Sequence, residues 1–244
     1  QTRHPSLQIT PWHQHSKSGY YLIVDTAPLA MTIHHAYNSF FLLNVPQTPY
    51  VVLVNHKVVK PTVEKEVYDN NDIGSTGGWG SSADHAINEP FQFRLIAKLP
   101  ASENNGRAYD YYKKYTVCFN DTLSDGITFD KLDTVEITNG DGSTPQVINN
   151  YTLDPNDPQS SFKLSIDDVK TCVPDLNKGA TITVTYTAHL NDKATVNTAN
   201  GSKTTDNKNS VYLEYSNNPR IDTSLDHTIT SEVCVYTYQL NNTK

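Results

Sequence analysis

The chain has 244 residues and a formal net charge of −7, with no basic cluster that would serve a nucleic-acid partner. Hydrophobic residues make up 36% and aromatics 10%, and no apolar run approaches the roughly 18 residues of a membrane span. Cys118, Cys172 and Cys234 are too few for a disulfide framework and fit no zinc spacing, so a bridge between two of the three stays open.

Thr, Asn, Asp, Tyr and Val dominate in place of Ala/Leu/Glu/Lys stretches, which favours strands over helices. Thirteen prolines and 11 glycines punctuate an all-β pattern. Residues 1–19 are polar. His13 with His15, and His34 with His35, lack a carboxylate or cysteine at a familiar metal spacing and read as exposed pairs in loops. Strands are predicted over 20–25, 39–45 and 50–55. A stretch of about 57 residues is short beside the roughly 100 of an independent sandwich. Residues 1–59 therefore read as the C-terminal part of another β domain.

Lys60-Pro61-Thr62 opens a second unit, expected over 60–240, with 241–244 starting a linker. Neither a leader peptide nor an anchor signal is legible, so the chain reads as a mature or excised segment. Strands are predicted over 63–68, 91–99, 112–121, 134–138, 146–153, 162–166, 181–190, 211–215 and 228–238, with one helical turn at 167–171. Asn139-Gly140-Asp141-Gly142-Ser143 and Asn156-Asp157-Pro158 mark turns between them. The Gly-rich stretch 72–82, with Trp79, lacks the ending of a phosphate loop and reads as a surface loop offering a contact site. Short alternating strands with such turns predict a sandwich of two antiparallel sheets.

Three polar residues share the alternation phase of their apolar neighbours. Lys65 lies in phase with Val63 and Val67, Asp121 continues Tyr115, Val117 and Phe119, and Asn217 continues Val211, Leu213 and Tyr215. Side chains two apart on a strand face the same way, so all three are predicted to point into a core. Each has an ordinary reading alone: a solvated edge lysine, a turn-starting aspartate, an asparagine in a turn. Together, an amine, a carboxyl and a carboxamide in one apolar interior are the reactants for a Lys–Asn isopeptide crosslink. Asn218 adjoins Asn217 and Asn209 lies upstream on the same run, and both stay open as partners.

The segment order from Pro61 to Leu240 resembles Gram-positive, sortase-assembled pilins, in particular their isopeptide-forming fimbrial domain. The resemblance is carried by Pro61-Thr62-Val63-Glu64-Lys65-Glu66-Val67, Gly78-Trp79-Gly80-Ser81-Ser82-Ala83-Asp84-His85 and Pro90-Phe91-Gln92-Phe93. It continues in Tyr115-Thr116-Val117-Cys118-Phe119-Asn120-Asp121, Val184-Thr185-Tyr186-Thr187-Ala188-His189-Leu190, Tyr215-Ser216-Asn217-Asn218-Pro219 and Val235-Tyr236-Thr237-Tyr238. It implies an immunoglobulin-like sandwich of the collagen-adhesin A type. In that family a lysine of the first strand is joined to an asparagine of the last under an acidic residue, which by position are Lys65, Asn217 and Asp121. It also implies an extracellular, wall-linked pilus subunit joined to other pilin subunits by a sortase through a lysine, here Lys57 with Lys60 as alternate. No cofactor and no turnover activity are implied, since crosslinking happens once per molecule. The rival expectation is a ligand-binding module of a wall-anchored adhesin recognising host protein or glycan.

Overall fold

The computed structural model describes residues 60–70, 77–102, 106–155, 160–197 and 207–239 in full, together with the backbone of four strands nearer the N-terminus. The chain divides into two compact units, Gln1–Val59 and Lys60–Lys244. In the first, β1 (Leu7–Gln8) pairs antiparallel with β4 (Leu53–Val54), and β2 (Gly19–Val24) with β3 (Phe40–Val45).

The second unit is a two-sheet sandwich. Its chain runs through β5 (Thr62–Asp69), β6 (Gly78–Gly80), β7 (Ser82–Asp84), β8 (Pro90–Leu99), β9 (Val117–Leu123) and β10 (Ile127–Asn139). It continues through β11 (Gln146–Val147), β12 (Thr152–Asp154), β13 (Ser161–Ile166), β14 (Ala180–Leu190), β15 (Lys208–Ser216), β16 (Leu225–His227) and β17 (Ser231–Tyr236). One sheet has the order β11-β10-β14-β8-β5-β6, and the other β12-β13-β9-β15-β17-β7 with β16 added onto β15. All these pairings are antiparallel except β17 with β7, which is parallel.

Alternation builds the core. Phe91, Phe93, Leu95, Ala97 and Leu99 of β8 stand opposite Ala188, Tyr186, Val184, Ile182 and Ala180 of β14 along one inner surface. Val117 and Phe119 of β9 with Val211, Leu213 and Tyr215 of β15 line the opposite one. Burying each large apolar side chain contributes about 1.5–3 kcal/mol before entropy is counted.

Several expected boundaries move. The segment expected as a strand from 112 enters the sheet only at Val117, after a 3-10 turn at Ala108–Tyr111. The span 146–153 splits into β11 and β12, which join different sheets, and 228–238 contains only β17, with β16 lying upstream of it. Within 72–82, the residues from Gly78 onward are edge strand: Trp79 pairs with Tyr68, and the Arg94 guanidinium sits 4.5 Å over its ring. The turn expected at 167–171 is a 3-10 turn at Val169–Thr171, capped by the Asp168 side chain accepting from the Lys170 amide. All 3 cysteines are free, so no bridge joins them, and Cys118 is buried.

Candidate functional site

Between the sheets, Lys65 of β5 meets Asp121 of β9. Both side chains are fully buried, and the Lys65 Nζ is in close contact with Asp121 Oδ2. Lys65 stands opposite Leu95 on β8, and its Nζ lies 5.2 Å from the Phe93 ring centroid and 5.4 Å from that of Tyr186. Phe129 and Phe162 each lie 5.3 Å from the Tyr186 ring, so the polar cluster sits in an aromatic cage.

The carboxamide in this cage belongs to Asn209. In the register of β9 with β15, Asp121 faces Val211 and Leu123 faces Asn209, so Asn209 is the diagonal neighbour of Asp121 on the inner face. Asn209 is fully buried. Its Nδ2 donates to the Tyr186 hydroxyl at 2.5 Å, while its Oδ1 is buried with no hydrogen-bond partner. The same hydroxyl accepts from Lys65 Nζ at 3.1 Å and donates to Asp121 Oδ1 at 3.3 Å. Amine, carboxyl and carboxamide thus all converge on one phenolic oxygen.

Asn217 is not brought to this cluster. It lies just past the end of β15, half-buried, with its amide donating to the Ser224 carbonyl. Eight positions along an extended strand separate it from Asn209, roughly 26 Å. Asn218 is also half-buried outside the core, its Oδ1 accepting from the Arg220 amide at 2.9 Å. The strand carrying the cluster's carboxamide is not the last one either, since β16 and β17 follow it. Tyr186 was unrecognised as a site residue, yet a signal existed: among the inward residues of β14 it alone carries a hydroxyl.

Burial governs the charge states here. Desolvation pulls the Lys65 ammonium down to about 8, outweighing the attraction and hydrogen bond of Asp121 that hold it up. Desolvation likewise raises the Asp121 carboxyl, against the charge of Lys65 and the hydrogen bonds of Lys65 and Tyr186. Burial and the adjacent Asp121 push the Tyr186 phenol far above its ordinary range. Burial therefore shifts both groups toward their neutral forms, an amine that can act as nucleophile beside an acid that can donate a proton.

Lys57, His13, His15, His34 and His35 lie outside the described residues. Lys60 is half-buried, with its Nζ 3.4 Å from Asp226 Oδ2. Among the described residues no group of His, Cys, Asp and Glu could hold a metal ion, and no helix is long and apolar enough to cross a membrane.

No protein-family model and no curated protein matches the sequence. Solved structures do. The 35 kDa C-terminal fragment of the major pilin GBS80 of Streptococcus agalactiae matches with a TM-score of 0.50 and 19% identity, over 74% of this chain and 57% of that one. BcpA, the major pilin subunit of Bacillus cereus, matches with a TM-score of 0.51 and 12% identity, over 89% of this chain and 55% of that one. The fold is that of a Gram-positive major pilin. The chain spans little more than half the length of either of these solved chains. The all-β, two-sheet architecture expected from the sequence is borne out by this pilin fold.

Proposed function

We propose that this chain is a load-bearing structural segment of an extracellular Gram-positive pilus, stabilised by one autocatalytic isopeptide bond between Lys65 and Asn209 with Asp121 as the promoting acid. The observation that carries the reading is the convergence of Lys65 Nζ, Asp121 and the Asn209 carboxamide on the Tyr186 hydroxyl, in a cage of buried aromatic rings.

An ammonium ion has no lone pair with which to attack. The depressed Lys65 value gives the neutral amine a minority share near neutral pH, and the upward shift of Asp121 makes its carboxyl a readier proton donor beside it. Lys65 Nζ bonds to Asn209 Cγ, the Cγ–Nδ2 bond breaks, and one proton passes from Nζ to the departing nitrogen, which leaves as ammonia. The fold holds the reactants together, so the step is effectively unimolecular. It runs once per molecule, which is maturation and not turnover.

Intact-protein mass spectrometry tests this. The mature chain is expected to be lighter than its sequence by one ammonia, and Lys65→Ala, Asn209→Ala or Asp121→Ala to keep the full mass. Fragmentation should place the branch at Lys65 and Asn209. A branch at Asn217, or an unmodified mass, sinks the assignment.

Linkage to further pilin subunits by a sortase belongs to the same reading, with Lys57 as the accepting amine, because Lys60 is engaged with Asp226. Incubation with a pilus sortase and its sorting-signal peptide should give an adduct that Lys57→Ala loses. An adduct surviving that change but lost in Lys60→Ala would transfer the role.

A further inference from the structure

Among the described residues, the Asp121 carboxyl makes no hydrogen bond to the Asn209 carboxamide, and the Tyr186 oxygen stands between them, 3.3 Å from Asp121 Oδ1 and 2.5 Å from Asn209 Nδ2. The acid and the leaving nitrogen therefore need a carrier, and this hydroxyl bonds to both. We propose that Tyr186 is a catalytic residue, relaying a proton from Asp121 to the departing nitrogen of Asn209. The proposal rests on the crosslink reading above.

The relay balances. At the start Lys65 is a neutral amine and Asp121 carries a proton on Oδ1. That proton reverses the Oδ1–Tyr186 hydrogen bond, so that the acid donates. The phenol is then free to donate to Nδ2 once Cγ is tetrahedral and that nitrogen has a lone pair. Nζ attacks Cγ and releases a proton to Asp121 Oδ2, the oxygen it already contacts. Asp121 Oδ1 passes its proton to the Tyr186 oxygen, and Tyr186 passes its own to Nδ2. The Cγ–Nδ2 bond then breaks and ammonia departs. Asp121 and Tyr186 end in the protonation states in which they began. The net transfer is one proton from Nζ to Nδ2, through two groups that are each donor and acceptor. The phenol never has to exist as a phenolate, which its far-raised value makes costly in this cage. Asn209 Oδ1 has no hydrogen-bond donor aimed at it, so the geometry directs assistance to the leaving nitrogen and away from the carbonyl oxygen.

Tyr186→Phe tests the relay, because it keeps the ring packed against Phe93, Phe129 and Phe162 and removes only the oxygen. Newly synthesised wild type and variant, checked for fold by circular dichroism, are sampled over time for ammonia loss by intact mass. The expected result is a folded variant that matures at least roughly 100-fold more slowly than wild type, the loss of one positioned proton-transfer group. Phe91→Leu loosens the same core one ring away from the cage, where Phe91 packs edge-on against Phe93, leaves the hydroxyl in place, and should mature at close to the wild-type rate. Equal slowing by both would make Tyr186 a packing residue and overturn the relay. So would a Tyr186→Phe chain that matures as fast as wild type.

A second measurement needs no substitution. In mixtures of light and heavy water, wild-type maturation after a synthesis stop should slow along a curve, since several protons move in the relay. A straight-line dependence would overturn it even if Tyr186→Phe failed to fold. Wild type that never loses ammonia would instead remove the crosslink reading itself, so the two failures are distinguishable.

Discussion

Lys65 carries its own pH signature as long as it remains an amine. Its folded value, about 8, lies below the ordinary 10.5 because burial outweighs the pull of Asp121. Between those values the unfolded chain binds more protons than the folded one, so stability rises with pH across that window. Below about 8 the cost of burying the ammonium is fully present. Asn209→Ala, which leaves the amine unlinked, should therefore gain resistance to urea between about pH 8 and 10.5. The wild type, whose Lys65 nitrogen would be a non-titrating amide, should show no such gain from this residue. Urea midpoints of both proteins across that range decide it, and a variant curve parallel to the wild type would mean that Lys65 is not buried as an amine. The same residue scale shows where sequence reading succeeds and stops. Alternation put Lys65 and Asp121 inward, because burial on a strand repeats every second residue. It could not choose between Asn209 and Asn217, which sit on the same phase of one run. The choice is made by the register of β15 against β9, a pairing between segments almost 90 positions apart that leaves no local trace.

At the scale of elements, strands with unbroken alternation were legible and those with interruptions were not. β8 and β14 alternate cleanly, and their observed ends fall within one residue of the expectation. β10 is 13 residues long, yet only its second half was readable. Its register against β14 slips between Phe129 and Lys131 and again between Leu132 and Thr134. Each bulge inserts a residue and inverts the apparent phase, so 127–133 looks patternless although all of it except the bulged Asp130 and Asp133 is paired with β14. The turn after β10 was readable for a different reason. Gly140 donates to the Gly179 carbonyl at 2.8 Å, and a Cβ there would meet the Lys178 carbonyl oxygen at 1.8 Å, so the close approach of two backbones demands glycine. The split of 146–153 had no such marker, because which sheet a short strand joins is decided by the neighbours it finds and not by its own residues.

At the scale of the molecule, the position of the proposed bond decides what it protects. A link from Lys65 to Asn209 closes a loop of about 145 residues, worth roughly 5 kcal/mol in the chain-entropy picture of a crosslink. Free cysteines contribute nothing comparable, so this constraint would persist in reductant. Under tension the geometry is asymmetric. β5 opens the second unit, and force entering there reaches Lys65 after a few residues, crosses to Asn209 and continues into the rest of β15, then β16 and β17. Everything between Lys65 and Asn209 is bypassed, but the ladders of β15 with β9 and of β17 with β7 are not, because they lie downstream of the link. Had Asn217 been the partner, most of β15 would have been shielded as well. Single-molecule pulling on the second unit should thus show a wild-type extension limited to the roughly 35 residues after Asn209, at most about 130 Å. Lys65→Ala should release in addition the closed loop of about 145 residues, roughly 500 Å more. A wild-type trace reaching the longer length would show that no covalent bond bridges the two sheets, and one that scarcely extends would place the link closer to the C-terminus than Asn209.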